Sequence, residues 1–123
     1  MKFLLILLFV FPAFGQDLSE IRGKKIYVVT DVVRSVVEKE LPKMTVSDPK
    51  DAQVFVEYKT IERWFSDAVV GGLVIGSYEY GEMTVYVQRD SGRVPVWTEK
   101  LGGSPAWVPK KLAKNFRSAL KKS

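Results

Sequence analysis

The residues best suited to acid–base chemistry in this chain are carboxylates, and they fall as loose neighbours: Asp48 with Asp51, Glu57 with Glu62, and Glu79 with Glu82. Two carboxyl groups facing each other across a cleft can hydrolyse a glycosidic bond, one protonating the leaving oxygen and the other activating water or attacking the sugar. That chemistry needs a cleft that holds a sugar chain, which a small domain seldom provides. Short acidic side chains serve equally well in turns, where they bind nearby backbone N–H groups. The aspartates lack the spacing of a calcium-binding loop. Ser47-Asp48-Pro49-Lys50 and Ser118-Ala119-Leu120-Lys121 both fit Ser-x-x-Lys. The first contains a turn proline, the second lies at the end of the sequence, and neither Ser-Asp-Asn nor Lys-Thr-Gly accompanies them. Gly71 and Gly76 have the spacing of a phosphate loop, but Ser77-Tyr78 stands where a lysine and a hydroxyl residue are required. Histidine and cysteine are both absent. Their absence removes the usual zinc, copper and haem ligands and any Ser-His or Cys-His nucleophile pair. The sequence therefore predicts no catalytic residue, no metal and no cofactor.

Two surfaces suit binding better than catalysis. The last helical stretch carries Lys110, Lys111, Lys114, Arg117, Lys121 and Lys122 with no acid among them. At about 100° per residue these fall opposite an arc of Val108, Leu112, Ala113, Phe116, Ala119 and Leu120. Beyond Lys2 the chain has 18 basic against 14 acidic residues; without these six the balance is 12 against 14. The net positive charge thus sits on one ridge, as a footprint for anionic lipid, acidic polysaccharide or an acidic protein face. The plainer alternative is a solvated helix face whose cations sit near the negative end of the helix dipole. The second surface is Trp64-Phe65 with the glycine-rich stretch from Ser66 to Gly81, which holds Val69, Val70, Leu73, Val74 and Ile75. Long irregular segments in small domains are often functional. Gly72 to Gly76 is also compatible with folding back on the sheet or forming a short extra strand. Tyr78 and Tyr80 would either flank a binding groove or pack half-buried.

The N-terminus reads as an export signal. Met1-Lys2 precedes nine apolar residues, Phe3 to Phe11, then Pro12, with small residues at Ala13 and Gly15. This is the layout of a secretory signal peptide, too short to span a bilayer. Cleavage is expected after Gly15, with no cysteine nearby to take a lipid. The expected location is periplasmic or secreted, with no transmembrane segment after cleavage and with nucleic acid, which the basic ridge would otherwise suit, out of reach. About 108 residues then remain, enough for one domain. Residues 16–23 are expected to be a flexible mature N-terminus and 24–123 a single domain held by apolar packing without disulfides.

The elements that must position these residues follow from periodicity. Lys25 to Thr30 reads as a strand, and Asp31 caps a helix to about Leu41, ended by Pro42. Val32, Val33, Val36, Val37 and Leu41 fall on one side of it, although four valines favour a strand. Met44 to Ser47 reads as a second strand, Asp48-Pro49-Lys50-Asp51 as a turn, and Gln53 to Ile61 as a longer strand. Glu82 to Arg89 alternates Met83, Val85 and Val87 with Thr84, Tyr86 and Gln88. Asp90-Ser91-Gly92-Arg93 is a tight hairpin, and Val94 to Lys100 is its partner, an edge strand because Pro95 donates no hydrogen bond. Leu101 to Pro105 reads as a loop, and a helix runs from about Pro109 to Lys122. The order β-α-β-β-β-β-α predicts an α+β two-layer domain with a mostly antiparallel sheet and helices packed on it.

The second half carries a resemblance. Ala52-Gln53-Val54-Phe55-Val56-Glu57-Tyr58, the glycine-rich stretch, Gly81 to Val87, Asp90-Ser91-Gly92-Arg93-Val94-Pro95-Val96-Trp97 and the basic terminal helix resemble a family of bacterial envelope proteins of unknown function, many of them small lipoproteins. That family reads Ala-Asp-φ-φ-Val-x-Tyr in the first strand and Asp-x-x-x-Gly-Lys-x-φ-Trp across the late hairpin, φ being apolar. More distantly, the order is similar to α/β domains of curli-secretion and penicillin-binding-protein-activator lipoproteins. Gln53 stands where the family has aspartate, and the lipid-bearing cysteine is lacking. The resemblance implies fold and compartment and supplies no catalytic residue. Together these readings predict an exported, non-enzymatic binding or adaptor module of the bacterial cell envelope. A small carboxylate-dependent hydrolase and a structural subunit of an envelope assembly are the alternatives.

Overall fold

The computed structural model describes residues 18–64, 69–70, 73–74 and 77–122, with the backbone alone at Trp64 and in the two short segments. The expected leader lies outside the described residues. The first strand, β1 (Ile26–Val28), is shorter than its apolar run suggests. Thr30 ends it: its hydroxyl accepts from Tyr58 N (3.0 Å) and donates to Tyr58 O (3.2 Å), substituting for ladder bonds. A 3-10 turn at Asp31–Val33 leads into helix α1 (Arg34–Glu40), only seven residues long, as the valine content foreshadows. Val33, Val37 and Leu41 are buried, whereas Val32 is 75% exposed.

Five further strands and one helix follow: β2 (Val54–Trp64), β3 (Val69–Val70), β4 (Leu73–Val74), β5 (Tyr78–Arg89), β6 (Gly92–Gly103) and α2 (Trp107–Lys122). The main sheet has the order β1-β2-β5-β6. β1 runs parallel to β2, and the other neighbours are antiparallel. A parallel pair needs a crossover, and α1 supplies it. One face of the sheet presents Val54, Val56, Tyr58, Met83, Val85, Val87 and Trp97 to the apolar side chains of the helices, among them Val37, Leu112, Phe116 and Leu120. Trp97 and Phe116 meet at 5.3 Å between ring centroids. The domain is thus the expected α+β two-layer arrangement.

Its details differ from the sequence reading in four places. Met44 to Ser47 is no strand; it makes one parallel bridge, Thr45 to Ile26, held by bonds from Ile26 N to Met44 O and from Val46 N to Ile26 O. Pro42 and Pro49 bracket the segment too closely for a longer ladder. Residues 18–23, expected to belong to a flexible mature N-terminus, are packed: Leu18 and Ile21 are fully buried, and Arg22 donates to the last carbonyls of α2, Leu120 O (3.1 Å) and Lys121 O (2.8 Å). β5 starts at Tyr78, inside the stretch read as irregular. β6 continues through Leu101-Gly102-Gly103, read as a loop, because Glu79, Tyr80 and Gly81 pair with it. The Tyr78 ring covers Gly102, leaving no room for a side chain there. Pro95 does lie on an edge strand, where the register shifts: Tyr86 faces Pro95 and Val85 faces Trp97, leaving Val96 as the extra residue of a bulge.

Candidate functional site: a basic groove between the two helices

α2 begins where Ser104 receives the Trp107 N–H on both its carbonyl (3.0 Å) and its hydroxyl (3.3 Å). Val108, Leu112, Ala113, Phe116 and Leu120 anchor the helix on the sheet, which turns Lys110, Lys111, Lys114 and Lys121 outward. α1 lies beside it. Two hollows line the seam. The first, of about 300 Å³, is walled by Val36, Lys39, Glu40, Lys110 and Lys114. The second, of about 400 Å³, is walled by Glu40, Leu41, Pro42, Lys43, Met44, Arg117, Leu120 and Lys121.

Glu40 belongs to both and is the sole acid in either wall. Arg117 approaches it, Nη1 to Oε1 at 3.1 Å. The contact lacks hydrogen-bond geometry, and Glu40 Oε1 and Arg117 Nε are buried without a hydrogen bond. Two facts thus bear on one pair: it is close enough for Coulomb attraction, yet it gains no directional bond. The distance governs the electrostatics, so Arg117 is largely neutralised. Among the described residues no carboxylate forms an ion pair with Lys39, Lys110 or Lys114. Lys39, Lys110 and Lys114, from two helices, therefore line one hollow against the single carboxylate of Glu40, which Arg117 already engages. Like charges held together repel, and the field they make favours an anion between them.

Of the residues singled out in the sequence, the groove brings together Lys110, Lys114, Arg117 and Lys121. Lys111 is exposed but walls neither hollow. Lys39, Lys43 and Glu40 were missed, because the adjacency of α1 and α2 has no local signature. Trp64 is described only as the backbone partner of Tyr78, and Phe65 lies outside the described residues. Val69 and Val70 pair antiparallel with Val74 and Leu73, so part of the glycine-rich stretch is a short ribbon. Tyr78 and Tyr80 are both half-buried, the former packed over Gly102.

The carboxylates do not converge on a cleft. Glu79 and Glu82 lie on opposite faces of β5, Glu79 on the buried one. Glu57 is exposed and accepts from the Tyr86 hydroxyl at 3.2 Å. Asp48 caps its own turn, accepting from Lys50 N at 2.9 Å. Glu79 departs from the solvated role expected of it: only 1% is exposed. It accepts from the Tyr58 hydroxyl, from Arg63 Nε (2.9 Å) and Nη2 (2.5 Å), and from the Thr60 hydroxyl (3.5 Å). Burial, and next the Glu79 carboxylate, push the Tyr58 phenol well above the ordinary tyrosine range. A carboxylate saturated in this way fastens β2 to β5 beside the register shift between Thr60 and Glu62. Among the described residues no three acids come close enough to hold a metal, and no helix is long and apolar enough to cross a membrane.

No family model and no curated protein matches the chain. Among solved structures, a minor lipoprotein from Acinetobacter baumannii is similar, with a TM-score of 0.41 and 13% identity over 80% of this chain and 93% of that one. A likeness of that size decides nothing about function, which is read from the groove alone.

Proposed function

We propose that this chain is an exported, non-enzymatic binding module of a bacterial cell envelope that takes an anionic partner in the groove between α1 and α2. The observation that carries the proposal is the hollow where Lys39, Lys110 and Lys114 converge without an ion-pair partner among the described residues. Exposed lysines gain little from one another, so their convergence serves a ligand rather than stability. Glu79 and Glu82 lie on opposite faces of β5 and do not form a carboxylate pair, which favours the binding reading over the hydrolase alternative. Export rests on the charged start, apolar run and small residues of positions 1–15. Calorimetric titration with inorganic hexametaphosphate tests the groove. Binding is expected to weaken as salt rises, and Lys39→Glu with Lys114→Glu is expected to weaken it at least tenfold, while Lys59→Glu on the opposite sheet face leaves it unchanged. Equal binding by the groove variant would overturn the proposal. N-terminal sequencing of the protein from its native cells tests export: a start at Gln16 supports it, and a start at Met1 contradicts it.

A further inference from the structure

The two hollows differ in chemistry. The three-lysine hollow offers charge. The other adds an apolar floor of Leu41, Pro42, Met44 and Leu120 beneath Lys43 and Lys121 at its rim. Leu41 and Leu120 are nearly covered, Met44 is partly open and Pro42 is exposed. A volume of about 400 Å³ lies within the usual range of small-ligand sites. Arg22, held on the final carbonyls of α2, offsets the negative helix end that would otherwise repel an anion there.

A polysaccharide or a free phosphate would gain nothing from this floor. A hydrocarbon chain would, since each methylene withdrawn from water strengthens binding about fourfold. We infer that the occupant is a single-chain anionic amphiphile, its chain lying on Leu41, Pro42, Met44 and Leu120 and its phosphate or carboxylate head held by the groove lysines, Lys43 and Lys121 nearest the chain. This rests on the anion-binding reading of the same groove and names its ligand class. The arrangement joins the two hollows through their common wall at Glu40 and gives a reason for exposed apolar surface ringed by cations, which a solvated helix face would not require.

The test is calorimetry on the full chain with dodecyl phosphate, decyl phosphate, dodecyl maltoside and hexametaphosphate, each below its micelle concentration. Dodecyl phosphate is expected to bind one to one, decyl phosphate about fifteenfold more weakly, and dodecyl maltoside at least tenfold more weakly. Met44→Glu should remove the difference between the two chain lengths. Lys43→Glu with Lys121→Glu, both at exposed positions, should weaken the alkyl phosphates with the circular dichroism unchanged. Equal affinity for decyl and dodecyl phosphate would overturn the amphiphile, and if hexametaphosphate still bound, the anion reading would stand without it. Dodecyl maltoside binding as tightly as dodecyl phosphate would also overturn the inference, because charge would then play no part. Failure of both hexametaphosphate and the alkyl phosphates would sink both readings.

Discussion

Replacing Glu79 by alanine should destabilise the protein more than any other loss of one carboxylate. The side chain is 2% exposed and accepts from three residues, Tyr58, Arg63 and Thr60. Arg63 is 46% exposed and can turn to water, so its loss is partly recovered. Tyr58 is 6% exposed, so its hydroxyl is poorly placed to turn to water and is left with only the Thr60 hydroxyl beside it. Hydrogen bonds to charged groups contribute roughly 1.5–3 kcal/mol, and stranding a buried partner costs about as much again. Discounting the Arg63 share, Glu79→Ala should cost about 3 kcal/mol in urea unfolding, seen as a lower midpoint at an unchanged slope. In a Tyr58→Phe background the same change should cost about 1 kcal/mol less, since no hydroxyl is left stranded. A loss within about 0.5 kcal/mol of zero, the usual range for surface substitutions, would refute the reasoning and return Glu79 to a solvated role.

Three other outcomes follow from the same geometry. Gly81→Ala would drive a methyl into the Tyr58 hydroxyl, which Glu79 holds in place; unfolding should show a loss of about 1–3 kcal/mol, as for overpacked cores. The folded Tyr58 phenol titrates above its unfolded value. Above about pH 10 the unfolded chain therefore sheds a proton that the folded one keeps, and stability falls by roughly 1.4 kcal/mol per pH unit from this residue. Tyr58→Phe should flatten that slope in denaturation series between pH 9 and 11, and an unchanged slope would contradict the assignment. Glu40→Gln removes the one acid of the groove, so it should strengthen hexametaphosphate binding several-fold while lowering the unfolding midpoint, Arg117 having lost its counter-charge.

Much of the fold is written in short-range pattern. Val54, Val56 and Tyr58 against Met83, Val85 and Val87 alternate with period two, and that alternation sets the buried face of the sheet. The hairpin after Arg89 declares itself through Gly92, whose φ of 124° few other residues adopt. Other features depend on partners distant in sequence. Leu101-Gly102-Gly103 reads as a loop because glycine carries no side chain, yet rings from Tyr78 and Trp107 occupy the space and the strand continues. Glu79 reads as one of a loose pair; its burial arises from Tyr58 and Arg63, which only the register of β2 against β5 brings to it. The basic ridge of α2 is plain in the sequence, but half of the groove is not. Lys39 and Lys43 stand more than seventy residues earlier, and packing of α1 and the turn after it against α2 makes them neighbours of Lys114 and Lys121.

The groove itself is open to one direct measurement: a map of backbone amide chemical shifts while the full chain is titrated with hexametaphosphate. The groove account predicts that the largest shifts cluster at Val36–Glu40 and Lys110–Lys114, on the two walls of the three-lysine hollow. Shifts centred instead on Glu57, Thr84 and Thr98, on the opposite face of the sheet, would contradict it.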